Sequence, residues 1–374
     1  MSASERLTVG IAGAGSIAFG TAALLEERGH AAMLWSPSGA GTEGLAAAGA
    51  LMAEGAVAGR FTPRVAADAE ALCAADVLLI AVPAYGHKRV MDALAPHVRE
   101  GQPVIISSHA SFGALYLSRL LAVRAVAAPI IAWGTTVVTG RKTGPATVAV
   151  NTVRSRVDIG VVPASAAGEG MALCERLFGE RFVDRGSLMA IALSNLNPQN
   201  HMGIALCNMT RMEHGETWGQ GLNITPNVGR LLEALDRERL TIADALGLKV
   251  RNIYEHFSLS FHVPEASVSE MNQEMHRAGR GGTGPATADS RYVTEDVPYG
   301  LAATVKLGDL IGKPARLHAA GVDIFSALYG RDFMAENELF DALDIDAMSI
   351  GELEDLAREG YPPALSAPKT AAPG

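Results

Sequence analysis

Through its first half the chain alternates short apolar runs and turn residues with longer stretches whose apolar positions recur at helical spacing. Residues 7–12 predict a short buried strand, residues 13–15 a turn, and residues 16–27 a helix able to pack Ile17, Phe19, Leu24 and Leu25 on a sheet. Further strands are predicted over residues 31–35, 76–82 and 103–107, and a helix over residues 112–123. Strands and helices in alternation predict a mostly parallel α/β sheet with right-handed crossings. Val- and Thr-rich pieces at residues 135–139 and 146–150, separated by Arg141-Lys142-Thr143-Gly144, predict a hairpin that extends the sheet.

Near residues 184–187 this pattern gives way to helical periods, notably over residues 188–211, 228–246, 250–257 and 301–311. In the second of these, Leu231, Leu232, Leu235, Leu240, Ile242, Ala243 and Leu246 form an apolar stripe, and Glu233, Asp236, Arg237, Glu238 and Arg239 are expected to face water. The expected division is an α/β domain over residues 1–186 and a mostly α-helical domain over residues 187–374. One or two short helices are expected over residues 339–356, and the Ala/Pro/Gly-rich residues 366–374 read as a flexible tail with few apolar anchors.

A chain of 374 residues accommodates two domains at about 150 residues each. Hydrophobic residues make up 48% and charged residues 19%, so burial can offset ordering entropy, which excludes a wholly disordered or collagen-like chain. Lys and Arg total 31 against 40 Asp and Glu, and the formal charge of −9 argues against a nucleic-acid partner. Cys73, Cys174 and Cys207 make no CxxC pair, which fits a reducing, cytoplasmic setting. The start lacks the basic region and cleavage pattern of a secretory signal, and the apolar runs are short or interrupted, so no membrane span is expected.

Gly13-Ala14-Gly15-Ser16-Ile17-Ala18 is a GxGxxA sequence between a predicted strand and a predicted helix. Gly13 suits the tight turn, Gly15 leaves room for a pyrophosphate to approach the backbone, and Ala18 permits close helix packing, while the helix-start amides favour the diphosphate charge. The next strand ends in Trp35-Ser36-Pro37-Ser38-Gly39, where an NAD site often carries an acid for the ribose hydroxyls. That acid is absent, and Ser36, Ser38 or Thr42 can hydrogen-bond a 2′-phosphate without carboxylate repulsion, which favours NADP slightly over NAD. Val82-Pro83-Ala84-Tyr85-Gly86-His87 and Ser107-Ser108-His109 follow two further strands at the edge that faces the ligand crevice of an open parallel sheet. Each of these histidines reads more readily as a loop or helix-capping residue than as a catalyst.

In the helical half, Asn197 and His201 are four residues apart and project from one helix face, with Pro198 near the helix start. His can move a proton at a substrate nitrogen or oxygen, and Asn can orient a carboxylate or carbonyl. The Gly-rich residues 279–284 read as a flexible turn leading to Asp289-Ser290-Arg291-Tyr292-Val293-Thr294-Glu295-Asp296, where Asp296 can orient a histidine and Arg291 can hold a carboxylate. Read locally, helix capping, packing or an exposed charged loop is the readier account of these residues. No metal site is expected, because His214, His256, His262 and His276 lack clustered Cys or acidic partners.

Taken together, the Gly-rich turn, Val82-Pro83-Ala84, Asn195-Leu196-Asn197 with His201, Thr225-Pro226 and residues 290–296 resemble the octopine/nopaline, or opine, dehydrogenase family over about residues 7 to 330. The resemblance implies an N-terminal Rossmann domain, here residues 1–186, followed by a mostly α-helical catalytic and substrate domain. It implies reductive condensation of an α-keto acid with an amino acid, using NADH or NADPH, and the reverse oxidation of the secondary amine. His201 is implied as the acid/base, Asp296 as its orienting partner, Asn197 as a substrate-positioning residue and Arg291 as a carboxylate clamp. Met202 and Ser36 depart from the family pattern, where Pro and an acid are common. A homodimer falls within the family's general range. The alternatives are an NAD(P)-dependent hydroxy-acid dehydrogenase and a nucleotide-binding sensor without turnover.

Overall fold

The computed structural model describes residues 6–363, and the tail expected over residues 366–374 lies outside the described residues. The chain forms two compact units, one of Met1–Ile191 with Gly351–Gly374 and the other of Ala192–Ile350. In place of a single cut after residue 186, the chain therefore divides after Ile191 and its last helix, Ile350–Glu359, falls almost wholly to the first unit. The Tyr361 amide donates to Ser118 Oγ at 2.8 Å within that unit.

The strands of the first unit are, in chain order, β1 (Thr8–Ala12), β2 (Ala31–Trp35), β3 (Leu51–Gly55), β4 (Gly59–Phe61), β5 (Arg64–Val65), β6 (Val77–Ile80), β7 (Val104–Ile106), β8 (Ile130–Trp133), β9 (Val138–Gly144), β10 (Thr147–Val153), β11 (Val157–Val162) and β12 (Phe182–Asp184). Eight of them form one sheet in the order β12-β11-β8-β7-β6-β1-β2-β5, parallel throughout except where β11 meets β8. Every residue of β6, β7 and β8 is buried, which is why these strands are continuous Val/Ile/Leu-rich runs rather than alternating ones.

The hairpin predicted around residues 135–150 forms, as β9 and β10, but its first strand takes in Arg141-Lys142-Thr143-Gly144, expected as the turn, and the hairpin does not extend this sheet. It builds a second sheet, β4-β3-β10-β9, by pairing β10 in parallel with β3. Val138 of that sheet lies against Gly20 on the helix Ser16–Glu27, where a Cβ would come 3.1 Å from the Val138 methyl. That helix is thus covered by a sheet on each side. Residues 18–25 are buried without a break, so its sequence is apolar all round rather than striped.

The second unit is helical among the described residues, with Asn197–Glu213, Pro226–Ala245, Ile253–Phe261, Val268–Arg277, Ala302–Leu310 and Arg316–Tyr329 as its longer elements. Its core joins Leu232 and Leu235 to Val293, Val297, Leu301 and Phe325. Two residues expected to face water are inside it: Asp236 and Arg239 are both buried. The Asp236 carboxylate accepts from the Arg239 guanidinium at 2.7 Å, from Gln199 Nε2 at 2.9 Å and from the Ile253 amide at 2.8 Å. Charge satisfied by charge and amide, rather than by water, lets this pair sit on the buried face of an otherwise amphipathic helix. No helix among the described residues is long and apolar enough to cross a membrane.

Candidate active site

In the first unit the turn after β1 is shaped by two glycines with different reasons. Gly13 has a φ of 147°, and a Cβ there would lie 2.3 Å from the Ala81 carbonyl oxygen, so only glycine fits. Gly15 has an ordinary φ of −86°, and a Cβ would meet nothing within 4 Å. The space above Gly15 is open, at a helix start whose N-cap offers no side-chain acceptor to the first amides. Open backbone and uncapped amides at a helix N-terminus fit a dinucleotide diphosphate.

Ala18 is fully buried beneath the turn, Ile17 packs at the edge of the core, and Ser16 Oγ accepts the Lys142 amide at 3.1 Å. Because β1 lies between β2 and β6, the carboxyl ends of the three strands are adjacent. Ser36 follows β2, Ala14 and Gly15 lie in the turn after β1, and Val82 and Pro83 follow β6. The sequence-predicted cofactor residues thus share one sheet edge, at the point where the strand order reverses.

The two loop histidines hold backbone. His87 Nε2–H donates to the Val82 carbonyl at 3.2 Å, and His109 Nε2 accepts the Ala114 amide at 3.1 Å, capping the helix Gly113–Val123. Complete burial, with a lesser contribution from His87, pushes the His109 pKa down to about 3, so its ring stays neutral.

In the second unit Pro198 sits in the first turn of Asn197–Glu213, where its missing amide costs no helical hydrogen bond. Gly300 packs on it so closely that a Cβ at residue 300 would come 2.2 Å from the proline ring. This contact seats the π-helical turn Val297–Leu301, which Asp296 precedes, against the start of the helix that carries His201. His201 Nδ1 lies 2.7 Å from Asp296 Oδ2. An ionised carboxylate only accepts, so Nδ1 carries a proton and Nε2 is the ring nitrogen left to face a substrate.

Tyr292, one helical turn before Asp296, stacks on the His201 ring, and its hydroxyl donates to Gln220 Oε1 at 2.7 Å. Burial and the adjacent Asp296 charge push the Tyr292 pKa up to about 12, so the hydroxyl remains a donor at neutral pH. Gln220 is held in turn by residues 281 and 282: its amide donates to the Gly282 carbonyl at 3.0 Å and the next amide to Gly281 at 2.9 Å. The Gly-rich residues 279–284 are thus tied by backbone hydrogen bonds to Gln220 and Gly221. Gly281 and Gly284 are small because a Cβ would come 2.7 Å from the His276 backbone and 2.2 Å from the Trp218 indole, whereas Gly279 and Gly282 take φ of 69° and 68° in open space.

Asn197 is exposed one turn before His201. Arg291 turns its guanidinium to Glu295 and leaves its side chain 67% exposed. Met202 is buried against Gly321, on the core side of the helix, and does not line the pair. Tyr292 and Gln220 are additions that the reading of the sequence missed. The four-residue spacing of Tyr292 and Asp296 was available as a signal, whereas nothing local points to Gln220.

The model described as NAD/NADP octopine/nopaline dehydrogenase, alpha-helical domain, matches residues 184–329, and that of ketopantoate reductase PanE/ApbA matches residues 9–164. An opine dehydrogenase of Arthrobacter sp. (strain 1C) is 31% identical over 352 residues, 92% of this chain and 97% of the relative. The solved structure of octopine dehydrogenase with NADH and L-arginine is similar with a TM-score of 0.72 at 18% identity, covering 87% of this chain and 90% of that one. NADP+-bound yersinopine dehydrogenase is similar with a TM-score of 0.65 at 15% identity, covering 91% and 97%. At these identities the two structures speak for the fold, an α/β Rossmann-like unit followed by a helical one.

Proposed function

The chain belongs to the opine dehydrogenase family, and from that premise we propose that it catalyses the NAD(P)H-dependent condensation of an α-keto acid with the amine of an amino acid, and the reverse oxidation. The observation that carries the reading is the His201–Asp296 pair, an imidazole whose Nδ1 lies 2.7 Å from a carboxylate oxygen. When bound, the nicotinamide supplies the hydride or accepts it. The chain's own residues manage the rest.

Amine addition to the keto carbon and loss of water require a proton on the departing oxygen and removal of one from nitrogen. His201 Nε2 performs these transfers, accepting a proton to become an imidazolium that Asp296 stabilises through Nδ1–H, and returning it to the leaving oxygen. Asn197, exposed on the same helix one turn away, orients a substrate carboxylate through its amide. Arg291 is engaged by Glu295, so a role as carboxylate clamp requires it to exchange that partner. Gly13, Gly15 and the amides that open Ser16–Glu27 bind the diphosphate, and the neutral Ser36 favours NADP slightly over NAD.

A matrix of α-keto acids and amino acids, run with both reduced nicotinamides and read by cofactor absorbance and product mass, tests this reading. The expected outcome is amine-dependent oxidation of the nicotinamide and a product equal to keto acid plus amino acid plus two hydrogens less one water. Amine-independent reduction to a hydroxy acid would sink the condensation and favour the hydroxy-acid dehydrogenase alternative. Binding of nucleotide with no turnover across the matrix would favour a sensor.

A further inference from the structure

The first unit places one cation at the dinucleotide turn that lies far from it in sequence. Lys142 lies on β9 near the hairpin tip, 126 residues from Ser16, whose Oγ accepts its amide. The Lys142 side chain runs over the Phe19 ring, with Nζ 4.2 Å from the centroid. Its ammonium donates to the Ala14 carbonyl at 3.2 Å and to the Gly41 carbonyl at 3.3 Å. Among the described residues no carboxylate pairs with it.

Two contacts fix this placement. A Cβ on Gly44 would come 2.4 Å from Pro145, so the hairpin tip is seated on the helix Ala40–Ala48. A Cβ on Gly41 would come 2.7 Å from the Ala14 methyl and 3.0 Å from Ser36 Oγ, so residues 14, 36 and 41 are in mutual contact. The ammonium of Lys142 therefore sits beside the turn and the residue after β2. In a Rossmann fold that residue sits where a carboxylate selects the ribose hydroxyls of NAD and a nearby cation accommodates the 2′-phosphate of NADP. Here the residue after β2 is a neutral serine and the cation comes from the second sheet.

We propose that Lys142 is the residue that selects NADP over NAD, by pairing with the 2′-phosphate beside Ser36. This rests on the dinucleotide reading of the turn and names the charge that reading lacks near Ser36. Burial without a counter-charge pushes the Lys142 pKa down from its ordinary value, a cost that a phosphate anion at the site removes. A two-carbonyl tether leaves an ammonium one further donor for such an anion.

The test uses the full chain and equilibrium binding, by calorimetry, of NADPH, NADH, 2′,5′-ADP and 5′-ADP to wild type, Lys142→Met and Lys142→Arg, with melting temperatures recorded for each. Wild type is expected to bind NADPH more tightly than NADH. Lys142→Met should weaken NADPH and 2′,5′-ADP by about tenfold or more, the worth of a charge-assisted hydrogen bond, with NADH and 5′-ADP little changed. Lys142→Arg should keep most of the preference.

Equal weakening of NADPH and NADH would overturn the proposal, leaving Lys142 as a diphosphate partner or a clamp on the turn. So would a wild type that prefers NADH, or a Lys142→Met protein with unaltered preference. Should Lys142→Met melt early, loss of NADPH preference in wild type at high salt, with NADH binding kept, is still required, and its absence counts against the idea. Failure of the condensation chemistry would instead show as normal nucleotide discrimination without amine-dependent turnover.

Discussion

Tyr292 lies flat against the His201 imidazole, with ring centroids 3.5 Å apart and planes 7° from parallel. With one ring face covered and Nδ1 bonded to Asp296, the imidazole has a single orientation and offers Nε2 to the outside of the pair. A half-turn about the Cβ–Cγ bond would keep the stack but take Nδ1 off Asp296, and a smaller rotation would break both.

The stack and the Gln220 hydrogen bond are separable by mutation. Tyr292→Phe keeps the ring and should retain turnover within about tenfold, since one neutral hydrogen bond contributes about 1 kcal/mol. Tyr292→Ala removes the ring that fixes His201 and should lower kcat more than it raises KM. Steady-state kinetics on both variants decide this, and equal kcat values for Phe and Ala would show that the stack does not position the imidazole.

Asp296→Asn preserves size and an acceptor oxygen at 2.7 Å but removes the charge that stabilises an imidazolium. A loss in kcat of about 100-fold or more is expected, the span of a general acid/base contribution, with nucleotide affinity unchanged. His201→Ala should lose at least as much, and adding the second substitution to the first should cost little more, because the pair acts as a unit. Additive losses in the double variant would contradict a shared role.

The two glycines of the dinucleotide turn should respond in opposite ways. Gly13→Ala meets both a φ of 147° and a carbonyl oxygen 2.3 Å from the new Cβ, so the first unit should lose about 2 kcal/mol or more. Gly15→Ala meets no atom within 4 Å and should fold with its melting temperature unchanged or slightly raised. Its deficit should appear in nucleotide affinity instead, because the added methyl occupies the space that the diphosphate needs. Calorimetric melting paired with NADPH titration separates the two, and a Gly15→Ala protein of full affinity would place the diphosphate elsewhere.

Glu238 provides a pH dependence in the second unit. Burial raises its pKa, but the His318 ring, 2.9 Å from Oε2, and the Leu317 and His318 amides lower it further, so the folded value lies below 4.5. A carboxylate with a depressed folded pKa contributes stability in full above its unfolded value and loses it as pH falls through the folded one. Glu238→Gln should therefore be less stable than wild type at neutral pH, and the gap should narrow as pH drops below about 4.5. Denaturation midpoints of the two proteins across that range check the sign, and a gap that widens in acid would refute it.

The strand, turn and helix that open the first unit were legible because they are local. A buried strand, two glycines and a helix start lie within residues 8–27, and periodicity locates their bounds to about one residue. The second sheet was half legible: β10 is Val- and Thr-rich and β9 begins in a Val/Thr run, but their partner β3 reads Leu-Met-Ala-Glu-Gly, too small and mixed to announce a strand. Lys142 shared that fate, since only the docking of the hairpin brings it to the turn. His201 and Asp296 lie 95 residues apart, and no spacing rule joins them; family resemblance did. Asp236 and Arg239 show the reverse error, in which charge was taken to mean water although each residue satisfies the other.

That buried pair yields the sharpest stability prediction. Asp236 is the acceptor for Arg239, Gln199 and the Ile253 amide, and Arg239 further donates to the Leu193 and Arg251 carbonyls. Asp236→Ala leaves a guanidinium buried without its counter-charge and should cost about 3–5 kcal/mol. Arg239→Met leaves the carboxylate similarly stranded, though Gln199 and the Ile253 amide still bond it, so its cost should be smaller. Removing both charges together relieves the stranded one, and the Asp236→Ala/Arg239→Met protein should be more stable than Asp236→Ala alone, a negative interaction term in the double-mutant cycle. Because Gln199 lies two residues before His201 on the same helix, Asp236→Ala should also lower turnover at temperatures where the protein remains folded. Chemical denaturation supplies the cycle. A single-variant cost below about 1 kcal/mol, the level of an exposed ion pair, would mean that water reaches the pair and that its burial does not govern the stability of this unit.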